Sequence, residues 1–339
     1  MVSGLRTIEK YFNELLTLLG IKEPVITSNL MDYFFENKFK ELFEIIAQDM
    51  GMPIKVNLQI IPNQNINPLN SSIMKLAEVC IPSNFPLFGS EEMNNFLVTI
   101  RMDKNAPKNP DTLIAIITHE LSHLLLASIK SRSFNNEIYT DIVPFLLGFK
   151  EVVRRGRNSD FYFIDGEKLH GKRVTLGYLE NDQFDFLNTK VTSVLNKYQK
   201  TKQDLLNKIE HSKSRQGNKV HILLDQIKFL KILLDKNLDR EVSNDDSLLL
   251  VRIHEMNFFE GLINHHNSLE KKFFIVEREI YKTNHYKDNT FNFFENQYYI
   301  ISDEVNMIIT DLLKIRKAML ENLTFLEYLL FLIKFNLKI

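Results

Sequence analysis

The chain of 339 residues has a single cysteine, Cys80. One thiol excludes an internal disulfide framework and fits a reducing compartment. Cys80 itself reads as a small buried hydrophobe. Neither sign of charge is in excess: 42 basic residues stand against 43 acidic ones, a net charge of −1. The basic footprint of a nucleic-acid binder is therefore missing. No apolar run reaches the roughly 18 residues that a spanning helix needs, so no membrane span is expected. The most apolar stretch, Phe325 to Phe335, is interrupted by Glu327 and Lys334. Met1 to Lys10 is mixed polar and charged and lacks the apolar core of a signal peptide, so a cytoplasmic setting is expected. Glycine and proline, 11 and 9 in all, become few after residue 180. That asymmetry points to two differently built halves.

In the first half the period of the apolar residues changes repeatedly. Ile8, Phe12, Leu15, Leu16 and Leu19 have helical spacing, stopped by Gly20. The same spacing from about Asn29 to Met50 predicts one helix, ended by Gly51 and Pro53. Ile54 to Ile60 alternates apolar and polar, the pattern of a half-buried strand. Leu76 to Ile81 and Asn95 to Met102 read as two further strands. The last is expected to be an edge strand able to pair with an extended peptide. From Asp111, a possible N-terminal cap, helical spacing returns, with Leu113, Ile114, Ile117, Leu121, Leu124 and Leu125 making the helix apolar on most sides. Another helix is expected from about Asn136 to Phe149. Arg154, Arg155 and Arg157 read as a solvated basic loop, with a short hairpin around Phe161 to Ile164 turning at Asp165-Gly166.

After Gln183 long helical patterns take over: about 184–213, 220–238, 247–281 and 297–337, with turns expected at Arg215 to Asn218 and Ser243 to Asp246. The expected fold class is α+β. A small mixed-sheet, zincin-like core with an active-site helix occupies residues 1–185 (its core about 30–180), and a mainly α-helical domain occupies 186–339. The helical domain is expected to gate the site, bind a protein partner or form a homo-oligomer.

The chemistry concentrates at Thr118-His119-Glu120-Leu121-Ser122-His123, an HExxH pattern. Residues four apart share a helix face, so His119 and His123 can grip one metal ion while Glu120 points toward the remaining coordination space. Polar groups set in so apolar a helix need partners, and a metal would supply them. Zinc held in this way takes three protein ligands and leaves one position for water. The nearby segment Asn135-Asn136-Glu137-Ile138-Tyr139-Thr140-Asp141 offers carboxylates, Glu137 and Asp141, again four apart.

HExxH followed by the pattern NExxxD at Asn136, Glu137 and Asp141 resembles the gluzincin metallopeptidases. Leu176-Gly177-Tyr178-Leu179 and Asp111 to Ala115 are similar to bacterial metallopeptidase-like proteins with a compact core, and the likeness covers about residues 30 to 190. The resemblance implies zinc bound by His119, His123 and Glu137, with Glu120 as general base. It implies that Asp141 holds a ligand histidine from behind, and Asp141 also stands as an alternative third ligand. The reaction implied is hydrolysis of a peptide or protein substrate by a metal-activated water. Tyr178, His170 and Tyr139 are the candidates to steady the oxyanion. The rival reading is a catalytically silent or latent metallopeptidase-like binding protein, and a third is a helical scaffold.

Overall fold

A computed structural model of the chain describes residues 2–61, 77–103, 109–131, 133–165, 168–238, 246–287, 289–321, 323–335 and 337. Of these, only the backbone is described at 2–3, 159–165, 168–174, 235–238 and 246–256. The fold is α+β, mostly helical with a small mixed sheet. The chain divides into two compact units, Met1–Tyr198 with Asn284–Asp288, and Gln199–Thr283 with Asn289–Ile339. Among the described residues no helix is long and apolar enough to cross a membrane.

The first unit opens with α1 (Val2–Leu19) and a two-residue strand, β1 (Ile21–Lys22). Two helices follow, α2 (Ser28–Phe35) and α3 (Phe39–Asp49), where apolar spacing predicts one. The break falls at Asn37, which takes a left-handed φ of 56° while its N–H bonds back to Phe34. Asparagine tolerates that region where most residues do not. Next come β2 (Lys55–Ile61), β3 (Ala77–Cys80) and β4 (Leu97–Asp103) in the sheet order β2-β4-β3. β4 is parallel to β2 and antiparallel to β3. The strand expected at the edge is thus the central one, and β2 and β3 are the edges. Cys80, at the end of β3, is half-buried rather than buried.

Two helices then carry the motif residues. α4 (Pro110–Ser128) is capped by Asn109, whose side chain accepts from the N–H groups of Asp111 and Thr112. Asp111 is therefore not the cap. It instead takes a two-pronged ion pair from Arg155, at 2.8 and 2.9 Å. Leu113, Ile114, Ile117, Leu121, Leu124 and Leu125 are all buried, and α4 packs against α3 and β3. α5 (Glu137–Leu146) is capped by Asn136 in the same manner. α6 (Lys150–Gly156) replaces the expected loop. On it Arg154 pairs with Glu151 and Arg155 with Asp111, so these two arginines of the basic run are paired within the fold. A Cβ at Gly156 would lie 2.4 Å from the Asp111 carbonyl, so only glycine lets α6 approach the start of α4 this closely. The hairpin is longer than expected: β5 (Asn158–Asp165) pairs antiparallel with β6 (Lys168–Thr175). Its turn residues 166–167 lie outside the described residues. Farther along the chain, β7 (His285–Tyr286) pairs with β1.

α7 (Asn181–Leu238) runs from the first unit into the second without the turn expected at Arg215 to Asn218. Glycine inside a helix costs only about 1 kcal/mol against alanine. Tertiary contacts outweigh it here: Val220 is buried, and Gln216 donates to Ser302 and Asn306. The other expected turn falls at 243–245, outside the described residues. The second unit also holds α8 (Asp246–Lys282), α9 (Thr290–Glu321) and α10 (Phe325–Lys334). The last two replace one expected helix. Thr324 and Glu327 form a reciprocal capping box that starts α10. Leu230 and Leu233 of α7 bury against Phe331 and Leu332 of α10.

Candidate metal centre

His119 and His123 stand one turn apart on α4, and the loop back from α4 to α5 brings Glu137 opposite them. One donor atom from each of the three lies within 4.8 Å of the others. His119 Nδ1 is 2.8 Å from Asp141 Oδ1, and His123 Nδ1 is 2.8 Å from the Phe134 carbonyl. A carboxylate and a carbonyl only accept, so each Nδ1 carries the hydrogen. That tautomer leaves both Nε2 atoms facing Glu137 Oε2, at 3.1 and 3.4 Å. Asp141 thus backs His119 rather than joining the cluster from the front. Its other oxygen accepts from the Tyr178 and Leu179 amides. Gly177 makes this possible: its φ is +86°, and a Cβ there would meet Asp141 Oδ2 at 2.9 Å.

Electrostatics at the centre favour a cation. Burial pulls the His119 imidazolium pKa down, but hydrogen bonds to Asp141 and Glu137 and the charges of Asp141 and Glu120 outweigh it, raising it to about 10. The bond from His119 likewise holds the Glu137 carboxyl below its ordinary value, against an opposing push from burial. Without a metal, a proton on His119 Nε2 stands where a cation's charge would be. Metal and proton therefore compete. The metal must displace that proton, so affinity for added zinc is expected to rise with pH above neutrality. Calorimetry in buffers of different ionisation heat should register at least about one proton released per zinc added. Affinity that does not change with pH would contradict this assignment.

Glu120 lies beside the cluster, its Oε2 accepting from the Val79 N–H of β3 at 3.2 Å. Both line a cavity of about 500 Å³ together with His119, His123, Glu137 and Asp141. Tyr178 also lines it, with its ring stacked on His119 at a centroid distance of 5.9 Å. Tyr139 is not brought to the cavity. Its hydroxyl donates to Glu14 of α1, and burial together with that carboxylate pushes its pKa up. His170 sits on β6, with its side chain outside the described residues. Three contributors were not legible in the sequence: the Phe134 carbonyl, the Val79 amide and Arg157 of the cavity wall. The first two are backbone groups with no residue signature, and Arg157 was hidden in a basic run.

Asp141→Asn cannot satisfy all its neighbours, because His119 and two amides all donate to the carboxylate. We expect zinc affinity to fall about 10- to 100-fold, read by competition with a chelating dye. Unchanged affinity would remove Asp141 from the centre's support.

No family model, curated protein or solved structure matches this chain.

Proposed function

We propose that the chain is a zinc-dependent, gluzincin-like peptidase that works in the cytoplasm. The observation that carries this reading is the convergence of two imidazole Nε2 atoms and a carboxylate oxygen next to a further carboxylate, Glu120, in one cavity. The donor set fits zinc: two neutral imidazoles and one carboxylate are among its ordinary ligands. Each imidazole is also oriented by an acceptor on its far nitrogen, the usual support for a metal-bound histidine. His119, His123 and Glu137 would hold the ion, and a bound zinc would polarise the scissile carbonyl and make a water acidic near neutral pH.

The remaining work falls to the chain. Glu120 takes a proton from the attacking water and passes it to the leaving amine. Tyr178, whose ring stacks on His119, is the candidate on this reading to steady the oxyanion. β3 pairs only with β4 among the described strands, so its other edge can align an extended peptide by strand addition. The Val79 N–H, held by Glu120, belongs to that edge.

The test is hydrolysis of a peptide library by the full chain loaded with zinc. Cleavage should stop after dialysis against a chelator and return when zinc is restored. Zinc bound without any cleavage would replace this reading with the silent binding protein.

A further inference from the structure

Arg157 closes α6 and is only 6% exposed. Its Nη2 donates to the Leu179 carbonyl and, at 3.3 Å, to Asn181 Oδ1. Its guanidinium carbon lies 4.4 Å from the centre of the Phe184 ring. These partners are all neutral. Among the described residues Arg157 forms no ion pair, and Nε and Nη1 make no hydrogen bond. Neither nitrogen is sealed inside the protein as an orphan. Asp141 and Asp185 act on it from beyond ion-pair distance, and the Asp141 oxygens are already taken by His119 and two amides.

A buried cation with only neutral partners is costly to maintain unless an anion completes it. Arg157 lines the same cavity as the metal cluster and is the only arginine or lysine among its described lining residues. Around it the wall is apolar: Val153 lies one turn earlier, and Phe145 packs edge-on against Phe184.

We propose that Arg157 anchors the C-terminal carboxylate of a peptide whose last side chain is apolar, which makes the chain a carboxypeptidase. The inference rests on the peptidase reading above. Nη2 is taken by Leu179 and Asn181, so the carboxylate accepts a charge-assisted bond from Nη1 or Nε, and the apolar wall takes the terminal side chain. In the reaction the last peptide C–N bond breaks. The water's oxygen joins the acyl carbon, and a proton goes to the leaving nitrogen. The products are one free amino acid and a peptide shortened by one residue with a new carboxylate.

The experiment compares matched peptides, ending in Leu or Phe, with a free or an amidated C-terminus. Both are incubated with the zinc-loaded full chain and read by mass spectrometry. The free form should lose its last residue, and kcat/KM for the amide should be at least about a hundredfold lower, since a site built around a polar group discriminates strongly against its absence. Arg157→Gln should bring that ratio close to one with zinc affinity unchanged, and Arg157→Lys should restore part of it. Equal cleavage of both peptides by the natural chain, or cleavage at internal bonds alone, overturns the proposal and leaves the peptidase reading standing. A ratio that survives in Arg157→Gln, or an equal loss on both peptides accompanied by lost zinc, also overturns it and makes Arg157 a strut for the Leu179 segment. If Arg157→Gln does not fold, the ratio in the natural chain decides alone. Zinc bound with neither peptide cleaved overturns the carboxypeptidase proposal, and the peptide library decides the peptidase reading separately.

Discussion

Glu120→Gln should slow peptide hydrolysis by about a hundred- to ten-thousandfold while the chain keeps its zinc. On the proposed peptidase reading the carboxylate carries a proton, and an amide at the same position cannot accept one. The glutamine is almost the same size, and its carbonyl can still accept from the Val79 N–H as Glu120 does at 3.2 Å. The fold and the metal cluster should therefore survive, and the loss should appear in kcat more than in KM, because the interaction removed belongs to the transition state. A variant that retains full turnover would take the base away from Glu120. A variant that loses zinc as well would mean Glu120 belongs to the ligand set.

His123→Ala should remove both zinc and activity. It deletes one of three donors and leaves the Phe134 carbonyl without its 2.8 Å partner. A supporting contact to a metal ligand is worth about 10- to 100-fold in affinity, so loss of a ligand itself should cost at least about a thousandfold. The zinc-linked part of stability goes with it. At a free zinc concentration 100 times the dissociation constant, that part is about 2.7 kcal/mol. Thermal unfolding with and without zinc measures this directly: the natural chain should melt higher with zinc and the variant should not. Equal shifts in the two proteins would place zinc elsewhere.

The two motif helices were legible because both of their signals are local. α4 is apolar on most sides with polar residues at His119, Glu120 and His123, and α5 begins at an asparagine cap with two carboxylates four apart. Helical periodicity alone then puts those side chains on definable faces. What failed was either a competition or a long-range property. The break at Asn37 needed a left-handed residue inside an unbroken apolar pattern. Gly217 reads as a turn locally, and the contacts of Gln216 and Val220 decide otherwise. The start of α10 was available in the Thr324 to Glu327 capping box but is masked by the apolar run around it. Strand order is not local at all: nothing in Leu97 to Asp103 says that it lies between β2 and β3. The same limit hid Arg157, whose meaning depends on Leu179, Asn181 and Phe184 arriving beside it.

The proposed centre is one metal held by His119, His123 and Glu137. X-ray absorption spectroscopy on the chain reconstituted with one equivalent of zinc tests that most directly. The expected spectrum has two imidazole nitrogens at about 2.0–2.1 Å, oxygen neighbours at about 2.0–2.2 Å and no sulfur. In His119→Ala it should show one imidazole nitrogen in place of two, or no bound zinc. A zinc–sulfur distance of about 2.3 Å, which would bring in Cys80, or a spectrum unchanged by the His119 substitution, would contradict a centre built from these three residues.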